Sequence, residues 1–185
     1  MNRLLIVSDE RSAIPAQRLA VLARLAQETC PLSGDMAELG VYRGGSARVI
    51  CAACPHKLLH LFDTFAGLPA DDDDLQGFHR QGQFAAELGE VQSYLAGLKV
   101  TYHVGTFPNM PLPDARFSLI HLDADLYQST TAALAYFWPR MVRGGALVLD
   151  DYRWHHCPGV ARAVEEAGLA AQVDVEVAHQ GVLRK

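Results

Sequence analysis

The sequence predicts a one-domain α/β fold built on a parallel sheet. Three observations carry this. Short β-branched or leucine-rich runs alternate with longer segments of helical spacing. The 185 residues suit a single unit at roughly 150 residues per domain. Polar residues recur just after the short apolar runs, where open α/β sheets keep their ligands. In chain order, residues 1–34 form an N-terminal helical segment, with Leu19, Leu22, Leu25 and Ala26 spaced to bury one face of a helix over Ile14–Thr29. Pro31 and Gly34 stop it. Met36–Leu39 reads as a strand, Ser46–Cys54 as a helix and Leu58–Phe62 as a second strand. A polar stretch follows, then a helix over Glu87–Leu98 and strands at Val100–Val104 and Phe117–Leu122. Ser129–Met141 reads as a helix, Ala146–Leu149 as a strand opened by Gly144-Gly145, and Gly159–Ala167 as a helix. Strands at Val173–Ala178 and Gly181–Arg184, joined tightly through His179-Gln180, end the pattern.

Composition removes several function classes. Lys and Arg number 16 against 21 Asp and Glu, for a net charge of −5, so clustered cations for a nucleic-acid surface are lacking. Apolar runs such as Leu4–Val7 and Ala146–Leu149 fall far short of the roughly 18 residues of a membrane span. Asp9, Glu10 and Arg11 interrupt any signal-like start, so a cytoplasmic location is expected. Asp71–Asp74 is a self-repelling run expected in a solvated loop, and 71–89 in a lid. Cys51 and Cys54 have CxxC spacing, but the segment reads as helix and no second pair completes a zinc site. Buried thiols are expected for Cys30, Cys51, Cys54 and Cys157.

Three motifs carry chemistry. Glu38-Leu-Gly-Val-Tyr-Arg-Gly-Gly-Ser46 leaves a strand and opens a helix. Its glycines allow close approach of a ligand to backbone and to the helix N-terminus. Asp63 ends the second strand some two dozen positions after the glycine loop, the place from which an acid grips ribose hydroxyls. A turn or helix cap is the structural alternative for Asp63. Asp123 and Asp125 follow one strand and Asp150 and Asp151 the next. Adjacent strands lie roughly 4.8 Å apart, so these carboxylates would meet if the strands are neighbours. A hard ion such as Mg²⁺ would relieve their repulsion, and without one a raised pKa would suit a general base. His155, His156 and Cys157 are a poor zinc set, since adjacent histidines seldom face one ion. Either histidine could line a substrate mouth. His121 is expected to pack on its strand, and Phe137 and Trp138 in the core.

These segments, with Phe62-Asp-Thr-Phe-Ala-Gly-Leu-Pro69, Gly105-Thr-Phe-Pro108, His121-Leu-Asp-Ala-Asp-Leu-Tyr-Gln-Ser-Thr130, Pro139-Arg-Met-Val-Arg-Gly-Gly145 and Asp150-Asp-Tyr-Arg-Trp-His-His-Cys-Pro-Gly159, resemble the macrocin O-methyltransferase family. The six motifs run in family order from about Asp35 to Glu166. The resemblance implies a Rossmann-like class I methyltransferase fold: a seven-stranded, mostly parallel sheet with helices on both faces and an antiparallel C-terminal hairpin. It implies S-adenosylmethionine as methyl donor, Mg²⁺ as cofactor and a small-molecule hydroxyl acceptor, a sugar or glycosylated natural product. By position, Glu38, Gly40, Tyr42 and Ser46 would surround the methionine end of the cofactor. Asp63 would hold the ribose with Phe65 beside it, and Gly105, Thr106 and Phe107 would flank the adenine. Asp123, Asp150 and Asp151 would ligate the metal, and Asp125 would be the general base. Subunit number is open, a homo-oligomer included.

Two other classes are weighed against this. A nicotinamide oxidoreductase is disfavoured because GxGxxG is missing; binding of NADH against S-adenosylhomocysteine separates the two. A catalytically idle cofactor-binding domain is disfavoured because every acidic position is filled; a metal-linked thermal gain separates it from an enzyme.

Overall fold

A computed structural model describes residues 11–69 and 78–185. In chain order these form α1 (Ala16–Thr29), β1 (Asp35–Leu39), α2 (Gly45–Ala53), β2 (Leu59–Asp63), α3 (Leu88–Tyr94), β3 (Val100–Val104), β4 (Phe117–Leu122), α4 (Tyr127–Phe137), β5 (Met141–Leu149), α5 (Pro158–Glu166), β6 (Asp174–Val177) and β7 (Gln180–Arg184). The seven strands form one sheet in the order β3-β2-β1-β4-β5-β7-β6. The first five are parallel, and β7 runs antiparallel to both β5 and β6. The mostly parallel sheet with its antiparallel C-terminal hairpin is thus as expected.

Side-chain alternation explains the two layers. Met36, Leu59, Leu61, Leu119, Ala146 and Val148 point to one face, where they pack with Leu22, Leu25 and Ile50 of α1 and α2. Their strand neighbours Ala37, Leu39, Phe62, Ile120, Leu147 and Leu149 point to the other, against Leu134, Phe137, Val160 and Val164 of α4 and α5. Period-two apolar strands buried on both sides are what a helix-covered parallel sheet requires. The chain order reverses between β1 and β4, so their carboxyl ends open a crevice.

Several boundaries differ from expectation. α3 ends at Tyr94 rather than Leu98, and Gly97 then takes φ +82°. α4 ends at Phe137, before a single 3₁₀ turn containing Pro139, and Met141 begins β5. Gly144-Gly145 therefore lies inside β5 rather than before it; a Cβ on Gly145 would approach Ser118 O to 2.9 Å across the ladder. The cysteine expectation is corrected for two of four: Cys30 and Cys54 form a disulfide, with Cα atoms 5.7 Å apart. The ends of α1 and α2 pack together on the same face of the sheet, which brings the two sulfurs within bonding reach. Cys51 and Cys157 are buried thiols. Among the described residues, no helix is long and apolar enough to cross a membrane. The Asp71–Asp74 run lies outside the described residues.

Candidate active site

The carboxyl ends of the central strands enclose a cavity of about 350 Å³, within the roughly 300–1,000 Å³ span of small-molecule sites. Gly40, Tyr42 and Ser46 wall it from the first loop and α2, Asp63 from the end of β2, and Gly105, Thr106 and Phe107 from the end of β3. Asp123, Asp125, Asp150 and Asp151 complete the wall after β4 and β5. Eleven of the thirteen residues singled out from the sequence therefore reach one cavity. Glu38 and Phe65 do not. Glu38 is fully buried on β1 beneath the floor, and Phe65 turns into the core below α2 and α3.

Local folding accounts for the loop. Gly40 adopts φ +88°, and a Cβ there would lie 1.9 Å from the carbonyl oxygen of Asp123; only glycine lets β1 and β4 close at this point. Asp63 fastens the turn above it. Its Oδ2 accepts from Val41 N at 2.6 Å and Tyr42 N at 2.9 Å, and its Oδ1 from Phe65 N at 2.8 Å. The carboxylate thus caps a turn, the structural alternative for this residue, while remaining on the wall. Of its roughly four lone-pair sites, one on Oδ1 is left for a hydroxyl donor.

The acidic end is electrostatically loaded. Burial, with Asp150 next in weight, raises the Asp123 carboxyl well above the usual range. Burial and Asp151 do the same to Asp125. Asp151 is raised by burial and Asp150 against the pull of Arg18. Burial would raise Asp150 too, but His121 and Arg18 together hold it below its ordinary value. Asp125 and Asp151 also sit at φ +59° and +58°, a left-handed conformation costing about 1 kcal/mol or more for non-glycine residues. Backbone strain and like charge coincide here, as at sites selected for chemistry rather than stability.

His121 is fully buried, as expected, but its role is electrostatic as well as steric. Its Nδ1 lies 2.9 Å from Glu38 Oε1, and its Nε2 lies 3.8 Å from Asp150 Oδ1, an ion-pair separation too long for a hydrogen bond. Burial opposes its charge, yet Asp150 and Glu38 raise its pKa to about 10. Arg18 supplies the second cation, with Nη1 2.8 Å from Asp150 Oδ2 and 2.7 Å from Asp151 Oδ1. Gln180 Nε2 donates to Asp150 Oδ1 at 2.7 Å.

Sequence reasoning missed Arg18, His79 and Trp154, all on the wall. His79 lies within the segment expected as a lid; its Nε2 is 3.2 Å from Cys157 Sγ, which in turn faces Asp125 Oδ1 at 3.7 Å. His155 and His156 are not on the wall; His156 stacks on Phe78 instead. The one available signal for Arg18 was charge balance, since four acids at two strand ends call for a counter-cation.

A hard divalent ion fits this donor set. Oxygens of Asp123, Asp125 and Asp151 lie within 4.8 Å of one another, as do ligand atoms of His121, Asp123 and Asp150. Carboxylate oxygens suit Mg²⁺ or Mn²⁺; the two groups share Asp123 but place Asp150 in one and Asp151 in the other, so neither holds the expected trio Asp123, Asp150 and Asp151 together. The glycine cradle and the N-terminus of α2 likewise fit a ligand with a polar end and an extended body.

Residues 11–180 match the model of the family described as Macrocin-O-methyltransferase (TylF). A relative from Streptomyces olivaceus, 8-demethyl-8-(2,3-dimethoxy-alpha-L-rhamnosyl)-tetracenomycin-C 4'-O-methyltransferase, is 33% identical, the match covering 67% of this chain and 55% of that protein. Mycinamicin III 3''-O-methyltransferase from Micromonospora griseorubida is 31% identical over 80% of this chain and 67% of its own length. The chain thus spans little more than half of the first relative. The solved structure of the O-methyltransferase NovP superposes with a TM-score of 0.81 at 23% identity, covering 96% of this chain and 83% of that one, a likeness in fold.

Proposed function

The chain belongs to the macrocin O-methyltransferase family, and from that premise we propose that it methylates a hydroxyl of a small glycosylated acceptor, using S-adenosylmethionine and a divalent cation. The observation that carries this is convergence: the glycine loop, Asp63, the Gly105–Phe107 turn and four carboxylates wall one cavity. Relatives named for methylating rhamnosyl-tetracenomycin and mycinamicin III supply the acceptor class.

S-Adenosylmethionine, when bound, supplies an electrophilic methyl group. Gly40, Tyr42 and Ser46 would receive its amino acid end, Asp63 the ribose hydroxyls, and Gly105, Thr106 and Phe107 the adenine. Asp123, Asp150 and Asp151 would hold the cation, which supplies Lewis acidity that lowers the pKa of a nearby hydroxyl. Asp125 would take the acceptor proton on a carboxylate oxygen; the burial and charge that raise its pKa bring its basicity closer to that task. Phe78, His79, Phe84 and Trp154 roof the cavity with rings and would exclude water. Orientation of the two reactants inside one cavity would supply much of the rate.

The test is S-adenosylhomocysteine binding by calorimetry, followed by a methyl-transfer screen over sugars, glycosides and catechols with and without EDTA. Metal-dependent turnover of a glycosylated acceptor is expected. Turnover confined to catechols would redirect the acceptor class, and full activity in EDTA would remove the metal role.

A further inference from the structure

Arg18 bridges two of the four acids on the cavity wall. A single nitrogen, Nη1, lies between Asp150 Oδ2 at 2.8 Å and Asp151 Oδ1 at 2.7 Å, and the side chain is 12% exposed. The rest of the residue is tethered to the C-terminal hairpin: Nε donates to Ala178 O at 3.0 Å, and Gln180 Nε2 reaches the Arg18 carbonyl at 3.4 Å while donating to Asp150 Oδ1 at 2.7 Å. One guanidinium therefore links α1, the β6–β7 turn and two carboxylates proposed as metal ligands. Among the described residues no ion pair of this kind reaches Asp123, whose charge is favoured by the buried His121.

A guanidinium nitrogen set between Asp150 Oδ2 and Asp151 Oδ1 fills the space between these two oxygens, so a divalent ion drawn to the same pair meets a like charge there. Resting on the metal reading above, we propose that Arg18 is a built-in counter-ion. It holds Asp150 and Asp151 together in the metal-free protein and competes with the divalent ion for them. Loading the ion then releases the α1 side chain from the acids while its Ala178 contact remains. Arg18 is in this sense a positioning residue, and metal affinity is coupled to the placement of α1 over the cavity.

The experiment measures Mn²⁺ binding to the full chain by electron paramagnetic resonance of the free ion at fixed pH. Thermal unfolding with and without Mn²⁺ accompanies it, for wild type, Arg18→Gln and Arg18→Lys. Arg18→Gln should lower the metal-free melting temperature and bind Mn²⁺ on the order of ten-fold more tightly, the size of one charge-assisted contact. Its metal-induced thermal gain should exceed that of wild type, and Arg18→Lys should stay near wild type on both measures. A purely structural Arg18 would lower the melting temperature equally with and without metal and leave affinity unchanged; that result overturns the proposal. Should Arg18→Gln fail to fold, hydrogen exchange in wild type decides: Mn²⁺ should speed exchange in the first turn of α1, and unchanged or slower exchange overturns the idea. No Mn²⁺ binding by wild type overturns the metal reading itself, and with it this inference.

Discussion

The two ends of the central strands carry polar clusters of similar make-up and opposite condition. At the amino ends of β1 and β4, Lys57 Nζ donates to Leu32 O at 2.6 Å, Gly34 O at 2.7 Å and Ser118 Oγ at 2.7 Å. His60 sits between Asp35 Oδ2 at 3.2 Å and His103 Nε2 at 3.0 Å. All three ammonium protons are used, and both imidazole nitrogens of His60 have partners. At the carboxyl ends, Glu38 Oε2 and His121 Nε2 are buried without a hydrogen bond, and Asp123 and Asp125 are raised by burial and by the carboxylates of Asp150 and Asp151 respectively. The same strands thus end in a satisfied cluster on one side and an unsatisfied one on the other. Satisfied buried polar groups hold a fold together, whereas unsatisfied ones mark where a ligand completes the set.

Asp123→Asn sets the widest contrast. Removing one of the crowded carboxylates should cut metal-dependent kcat/KM by about 10³-fold, the scale of several kcal/mol of lost charge stabilisation. S-Adenosylhomocysteine binding, read by calorimetry, should largely survive, and the melting temperature of the metal-free protein should rise because a buried repulsion is gone. Near-normal turnover, or a fall in that melting temperature, would contradict the contrast drawn above.

Asp125→Asn separates base from ligand. Loss of the proton acceptor should reduce kcat by about 10²-fold while Mn²⁺ affinity stays close to wild type. If Mn²⁺ affinity collapses instead, Asp125 belongs to the ligand set. Gly40→Ala tests the closure of the floor. A Cβ placed 1.9 Å from the Asp123 carbonyl forces β1 and β4 apart and strains φ +88°, at a cost of about 1–3 kcal/mol in stability. Urea unfolding and S-adenosylhomocysteine titration should both report it, with cofactor affinity lowered about ten-fold by displacement of the loop.

What was legible in the sequence follows the same division. The glycine loop, Asp63 and the two acid pairs are short-range motifs whose chemistry shows in adjacent residues, and strand ends bring them together once the sheet order is given. The boundaries of α4 and β5 were less legible, because Met141 and Val142 suit either element and only the ladder with Phe117 decides. Arg18 meets Asp150 across 132 positions, and Cys30 meets Cys54 because two helices end side by side; neither has a local signal. Glu38 reads as a ligand from its motif, yet its strand parity turns it toward His121 rather than the cavity.

The smallest effect is expected at the satisfied end. Lys57→Met removes the donor to two carbonyls and a hydroxyl, but the site is only part-buried and water can replace some of the lost bonds. Burial also holds the Lys57 pKa below its ordinary value, partly offset by Asp35, so losing the charge recovers some desolvation cost. The net loss should be about 1 kcal/mol, or roughly 3 °C in melting temperature for a chain of this size. Turnover per folded molecule and S-adenosylhomocysteine affinity should be unchanged, since no part of this cluster reaches the cavity. A drop in kcat in Lys57→Met at full folding would mean that the amino ends of β1 and β4 transmit to the carboxyl ends, and the two clusters could no longer be treated as independent.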